Sequence, residues 1–369
     1  MRVLILLRDL SLNGITSYNR ILAGELRAQG HTVFVLPSGA DMPSDNRFGW
    51  PLLHPCLEPL VRGAIARLMP DVIVVNHYTQ ARVAHRLSES LGIPWLAIMH
   101  NAHSDRRMRE WAQLFSNVSG VVTMCQTLRD KYSDLLRESA GFLAGHKPPI
   151  FLSRLPLQRP VAPLARSGGA TPETVVRLAY CSRLSGSKGP RCEAWLKAVA
   201  LLPDHASYRL RVMGGGSQLR QIKQLAGRLG LNVEFTGMVA NVLPYLEDVS
   251  VMTGAGYAVL EGLVHGCAAV GLGFGGCFGA VTAARLDAAM AVNFGDHAMG
   301  RFSTDPAFIA QELQTAIELH RSGQAQAVSE RVIALCAPAE IATGLTRFAQ
   351  RVCQPAYERS LSMAGKSLT

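Results

Sequence analysis

The sequence predicts an α/β protein made of two doubly wound, Rossmann-like domains that face each other across a cleft. Three observations carry that expectation. The chain has 369 residues, more than one ordinary hydrophobic core accommodates. Short apolar runs alternate with amphipathic stretches in two successive series, the pattern of parallel sheets covered by helices. A proline-rich passage separates the two series. Hydrophobic residues at 48% and charged residues at 17% fit a globular chain and exclude a disordered one.

The first series opens with Val3–Leu7, an unbroken apolar run expected of a strand buried on both faces. The turn Leu12-Asn13-Gly14-Ile15-Thr16 follows, then a helix from about Ser17 to Gln29. Tyr18, Ile21, Leu22 and Leu26 keep helical spacing, with Thr16 or Ser17 as the expected cap and Gly30 as the stop. Further strands are expected at Thr32–Leu36, Val72–Val75, Trp95–Met99 and Val121–Met124. From Lys147 to Gly169, the prolines Pro148, Pro149, Pro156, Pro160 and Pro163 and the run Ser167-Gly168-Gly169 read as a connector. The second series has strands at Leu178–Cys181, Leu210–Met213, Val233–Thr236, Val249–Met252 and Ala268–Leu272. A helical pattern over Ala339–Arg359 closes the chain. The expected division is 1–165, 170–338 and a terminal helical segment 339–369 that can return to the first domain.

The net charge of +10 is uneven. Residues 1–170 hold 19 Lys and Arg against 12 Asp and Glu, a net +7, and the remainder holds 18 against 15, a net +3. The basic half suits an anionic acceptor or the surface of an anionic bilayer, and a plain solvated face has the same composition. No nucleic-acid partner is expected. The eight cysteines form no Cys-x-x-Cys pair and no zinc spacing, which fits free thiols in a reducing cytoplasm. The start Met1–Asp9 has too short an apolar run for a signal peptide. The glycine-broken stretch Cys267–Val281 is shorter than the roughly 20 residues a membrane span needs. The expected location is the cytoplasm, either free or peripheral at the inner face of the membrane.

Five segments carry candidate chemistry. In Leu178–Gly189 a strand runs into a turn holding Arg183 and Lys188. Ligands sit at the carboxyl ends of strands in open α/β sheets, and two cations there suit a diphosphate. A solvated loop has the same sequence. Leu210–Gly216 ends a strand in three glycines, which permits close backbone approach or simply a tight turn. It lacks the third glycine of a dinucleotide fingerprint. Val233–Val239 presents a strand end and Met238, fit for a nucleobase edge or an ordinary core. Thr253–Gly266 places glycines before a short helix, whose first N–H groups suit an anion. Glu261 lies beside the buried face of that helix and can take a ribose diol, or be a surface acid. Gly271–Gly276 is a further glycine-rich strand end.

The order of these segments resembles the retaining glycosyltransferases of the GT-B fold, family 4 (glycosyl transferases group 1). The matches are Arg183-Leu184, Lys188-Gly189, Gly214 and Gly216, Phe235-x-Gly237, Glu261 and Gly275-Gly276, with Gly14, Gly30-His31-Thr32-Val33 and His100 in the looser first half. The resemblance implies an acceptor-binding first domain and a second domain that binds a nucleoside-diphosphate sugar. It implies that Arg183 and Lys188 hold the diphosphate, Glu261 the ribose, and Met238 the base. Gly214 belongs to the same donor site. Amides at Gly256, Tyr257 and Ala258 contact sugar or phosphate, and Gly14 lets the first loop approach phosphate or acceptor. His100 stands near the donor sugar and, with Arg183 and Lys188, makes up the expected catalytic set. Two departures stand out. Thr253 occupies the place of the family's first glutamate, in a segment shortened after Asp248, and Gly279 stands where an acid often follows the late glycine pair.

No Asp-x-Asp occurs, so the expected transfer is metal-independent and needs no cofactor beyond the donor. The expected function is retaining glycosyl transfer to a glycan, lipid-linked or small-molecule acceptor, as in polysaccharide biosynthesis. A sugar-nucleotide epimerase of the same fold is one alternative. A sugar-nucleotide-binding protein with lost or altered catalysis, suggested by Thr253, is the other.

Overall fold

The computed structural model describes residues 1–8, 13–37, 58–101, 109–111, 114–138, 146–158, 175–297 and 302–366, with backbone alone at 58 and from 354 onward. Pro160, Pro163 and Ser167-Gly168-Gly169 of the expected connector lie outside these residues, as does Leu12 of the first turn. The chain divides into two compact units. Unit 1 is Met1–Pro156 with Ala337–Thr369, and unit 2 is Leu157–Cys336.

Unit 1 is built on a parallel sheet of β1 (Arg2–Leu7), β2 (Thr32–Pro37), β3 (Val72–Val75), β4 (Trp95–Met99), β5 (Gly120–Thr123) and β6 (Ile150–Leu152). Its order is β2-β1-β3-β4-β5-β6, so the winding reverses between β1 and β3. Helices α1 (Gly14–Ala28), α2 (Glu58–Leu68), α3 (Tyr78–Leu91) and α4 (Gln126–Glu138) accompany it. The central strands are buried end to end, which explains their unbroken apolar runs. Strand β6 falls inside the stretch read as a connector. Its three residues are too short to stand out against flanking prolines. Helix α1 starts earlier than expected. Its cap is Asn13, whose Oδ1 accepts from the Ile15 and Thr16 amides at 2.9 and 3.0 Å.

Unit 2 contains β7 (Arg177–Cys181), β8 (Arg209–Met213), β9 (Val233–Gly237), β10 (Val251–Gly254), β11 (Ala268–Gly273) and β12 (Gly276–Ala280). The order is β12-β11-β10-β7-β8-β9, and only β12 is antiparallel. The winding reverses between β7 and β10. Helices α5 (Gly189–Ala200), α6 (Leu219–Arg228), α7 (Tyr257–Val264), α8 (Leu286–Ala291), α9 (Pro306–Arg321) and α10 (Ala325–Leu335) complete the unit. Trp195 of α5 is fully buried against Tyr180 of β7, ring centroids 5.7 Å apart. At the amino-terminal ends of the strands, Arg177 and Arg211 bridge Glu234 and Asp248 at 2.8–3.1 Å. This ties β7, β8, β9 and the approach to β10 together. Strand β12 lies beyond the glycine-rich end Gly271–Gly276 and is not among the expected strands, because glycine carries no strand signature of its own.

The last helix, α11 (Pro338–Lys366), belongs to unit 1. Gln29 of α1 donates to the Ala339 carbonyl and to Thr343 at 3.0 Å. Phe348 stacks on Phe151 of β6 at 5.2 Å and occupies the space over Gly120 of β5, where a Cβ would meet its ring at 2.6 Å. By length and composition alone the stretch Ala325–Cys353 resembles a membrane-crossing helix. It is in fact two helices, broken between Leu335 and Pro338, each contributing to a different unit. Phe348→Ala should destabilise the protein by about 3 kcal/mol or more in denaturant titration, the range for a buried aromatic truncated to Ala. A loss below about 1 kcal/mol would mean that the helix is not part of the unit 1 core.

Candidate functional site

In unit 2 the turn after β7 is seated on glycines. The Ser182 amide donates to the Met213 carbonyl at 3.1 Å, Leu184 to Gly215 at 2.9 Å, and Gln218 back to Leu184 at 2.9 Å. A Cβ on Gly214 would run into the Ser182 carbonyl oxygen, and one on Gly216 into that of Leu184. Both glycines have φ near +150°, a region that L side chains rarely adopt. The glycine run after β8 therefore seats the neighbouring turn. Leu184 is fully buried and anchors the turn. Arg183 beside it is exposed, and makes no ion pair or hydrogen bond among the described residues.

Lys188 is not a free cation. Its Nζ lies 2.8 and 3.0 Å from the two carboxylate oxygens of Asp296, and Asp296 Oδ1 also accepts from the Phe274 amide at 3.0 Å. Sequence reasoning missed Asp296. It lies far along the chain from every motif, and the only local signal is the glycine beside it. Burial alone would raise the Asp296 carboxyl. The charge and hydrogen bonds of Lys188, with His297 and the Phe274 amide, outweigh burial and hold it below the ordinary carboxylate value. Asn293, Phe294 and Gly295, which deliver Asp296, all have positive φ (49°, 57° and 91°). Glycines Gly271 and Gly273 of β11 make room for this segment. A Cβ on Gly271 would meet the Phe294 carbonyl at 2.9 Å, and one on Gly273 the Asp296 amide nitrogen at 2.6 Å. The fifth glycine-rich segment is thus filled by the protein's own backbone.

The start of α7 faces the same region. Gly256 caps it with φ +58°, and the Asn293 side chain lies 3.5 Å from where a Gly256 Cβ would be. Tyr257, Ala258 and Glu261 are half-buried. Glu261 and Lys188 each lie within electrostatic reach of Cys181 at the end of β7. Burial, then Glu261, push the Cys181 thiol up to about 12. Thr253 is elsewhere. It is fully buried within β10, paired in register with Tyr180 and Val270, so the position eight before Glu261 is core rather than site. Met238, just past β9, is 60% exposed, an apolar side chain at the strand edge as a nucleobase requires.

In unit 1 the corresponding strand edge holds a polar relay. Asn19 Nδ2 donates to the Ile15 carbonyl at 2.8 Å and to Asn76 Oδ1 at 2.9 Å, and Asn76 returns a bond at 3.0 Å. Asn76 Oδ1 is therefore an acceptor, and His100 Nε2, 2.7 Å away, donates to it. In the neutral ring this leaves Nδ1 as the basic nitrogen. The edge of Tyr18 packs on His100 at 5.0 Å. Burial pushes the Tyr18 phenol up to about 12. Gly14 begins α1 at the β1 end and is exposed. Arg183 and Lys188 follow β7 and Gly256 follows β10, the strands flanking the winding reversal of unit 2, the place where open α/β sheets bind ligands, while Gly214 and Met238 follow β8 and β9 farther along the same edge.

The two doubly wound units define the GT-B architecture. No protein-family model and no curated protein matches the chain. Among solved structures it is similar to a glycosyltransferase from Rickettsia africae, at 12% identity and TM-score 0.68, covering 95% of this chain and 98% of that one. It is similar to sucrose-phosphate synthase from Thermosynechococcus elongatus, at 15% identity and TM-score 0.68, covering 95% and 99%. HepE of Anabaena, solved in complex with UDP and glucose, aligns at 15% identity and TM-score 0.64 over 94% and 98%.

Gly214→Ala should cost about 2 kcal/mol or more, because the new methyl meets a backbone oxygen in a left-handed conformation. Gly227→Ala, in α6 with open space around it, should instead gain about 0.5–1 kcal/mol. Equal effects in urea titration would refute the seating described for the turn. His297 is buried, and burial lowers its pKa below 6.5. The unfolded chain then takes the proton first, so stability present above pH 6.5 falls as the pH drops below it. His297→Gln should flatten that slope in melting curves between neutral pH and about pH 5.

Proposed function

We propose that the protein transfers a glycosyl group from a nucleoside-diphosphate sugar to a glycan, lipid-linked or small-molecule acceptor. The observation that carries this reading is the order of the strand ends in unit 2, where the turn with Arg183 and Lys188 follows β7 and Gly256 with the helix of Glu261 follows β10, on the two sides of the winding reversal. The fold supports it, since solved neighbours include complexes of HepE with UDP and with UDP-glucose. The resemblance to family 4 supports retention of anomeric configuration.

In this reading the nucleobase lies against Met238, Glu261 accepts the ribose hydroxyls, and Arg183, Lys188 and the first amides of α7 hold the diphosphate. As the glycosidic bond breaks, negative charge builds on the leaving phosphate. The chain's own cations and N–H groups stabilise it without a bound metal, each well-placed donor lowering the barrier by about 3 kcal/mol. Unit 1 takes the acceptor and contributes His100, its ring fixed by Asn76. The positive excess of residues 1–170 suits an anionic acceptor or a lipid surface at the inner face of the membrane, consistent with polysaccharide assembly in the cytoplasm.

A thermal-shift screen of nucleoside diphosphates and their sugars tests the reading. A ligand of the folded state raises the melting temperature by mass action. Arg183→Ala should weaken binding of the best diphosphate about tenfold, the value of one charge-assisted hydrogen bond. Unchanged affinity in both Arg183→Ala and Lys188→Ala would refute the site. Conversion of donor in the absence of any acceptor would identify an epimerase instead.

A further inference from the structure

The strand ends of unit 2 form a linear edge in the order β9-β8-β7-β10-β11. Met238 follows β9, Arg183 and Lys188 follow β7, Gly256 follows β10, and Phe274 follows β11. Neighbouring strands lie about 4.8 Å apart, so this edge runs roughly 19 Å from β9 to β11. A nucleotide sugar laid along it, base at β9 and diphosphate at β7 and β10, carries its sugar ring to the β11 end. The side chains held there include Asp296, bonded to the Phe274 amide, Arg191, which donates to the Gly273 and Phe274 carbonyls at 3.1 and 2.9 Å, and Asn293, lying over Gly256.

Asp296 has acceptor capacity to spare. Its Oδ1 receives both the Phe274 amide and Lys188, while Oδ2 receives Lys188 alone among the described residues. A carboxylate oxygen accepts two hydrogen bonds, so Oδ2 keeps one site. The backbone that delivers it is costly. Asn293 and Phe294 are both left-handed without being glycine, and Phe294 is 1% exposed. Such outliers persist where surrounding packing enforces them, and they gather at ligand sites. Two strand glycines, Gly271 and Gly273, are given up to admit the segment. Holding one lysine would not require that the carboxylate be brought to the β11 end.

We propose that Asp296 reads the donor sugar. Its Oδ2 accepts a ring hydroxyl while the same carboxylate holds Lys188 beside the diphosphate, an assignment that rests on the nucleotide-sugar reading above. One side chain then links recognition of the sugar to placement of the phosphate cation.

The test uses titration calorimetry with the tightest of UDP-glucose, ADP-glucose, GDP-mannose and dTDP-glucose, and with its free diphosphate. Asp296→Asn keeps an oxygen for the Phe274 amide and removes the charge. It should lower affinity for the sugar nucleotide about tenfold while binding of the free diphosphate is retained or improved. Equal loss of both ligands, or loss of neither, overturns the proposal. Should that variant not fold, the wild-type protein is titrated with donors lacking one ring hydroxyl at a time. One position should cost about tenfold, and Asp296→Glu should shrink that cost while diphosphate affinity holds. Indifference to every ring hydroxyl also overturns the proposal. If the wild-type protein binds none of the four donors and none of their diphosphates, the nucleotide-sugar reading itself fails.

Discussion

The structure of unit 2 depends on the missing Cβ atoms at its strand ends. Gly214 and Gly216 take the turn that carries Arg183, while Gly271 and Gly273 take the segment that carries Asp296. In each case the backbone of one loop lies where a side chain of the next strand would be. The loops are thereby packed against one another instead of swinging free. Charged groups at their tips inherit a defined position from contacts that involve no charge. The same principle works in unit 1, where Gly120 admits the Phe348 ring.

On that scaffold the electrostatics are asymmetric. Arg183 is exposed and without a partner among the described residues, whereas Lys188 is held by Asp296. An anion approaching the edge meets one available cation and one already neutralised. A surface ion pair contributes little to stability. This one is partly buried, with side-chain exposures of 25% and 18%, and it is reinforced by the Phe274 amide. Its weight lies in position more than in folding energy.

Much of this was legible in the sequence, and the reasons are specific. Val72–Val75 and Trp95–Met99 match the observed strands residue for residue, because strands buried on both faces have no polar interruptions. Leu178–Cys181 and the turn after it were legible for the same reason. The glycine run after β8 reads equally well as a close approach to a ligand or as a tight turn, and in the structure its Cβ positions face other parts of the chain. A glycine in sequence says that something comes close, not what it is. Asp296 is hard to find in the sequence because only the glycine beside it marks it locally. Its meaning comes from Lys188, 108 positions away. Thr253 is marked in the sequence as a departure within a shortened segment, and only the structure shows that it lies in the buried core of β10. His100 follows β4 and Glu261 lies within α7, but the Asn76–Asn19 relay behind His100 was not foreseen. Asparagines after a strand and within a helix carry no pattern.

The return of α11 to unit 1 has a consequence for how the chain is made. Unit 2 is continuous in sequence, and its two ends, Leu157 and Cys336, are joined by a 3.0 Å backbone hydrogen bond. Unit 1 is interrupted, and lacks the ring that covers Gly120 until Phe348 has been synthesised. During synthesis the second unit can therefore close while the first still exposes part of its core. Domains usually fold in the order in which they leave the ribosome. Here a helix made after the whole of unit 2 completes the sheet made before it.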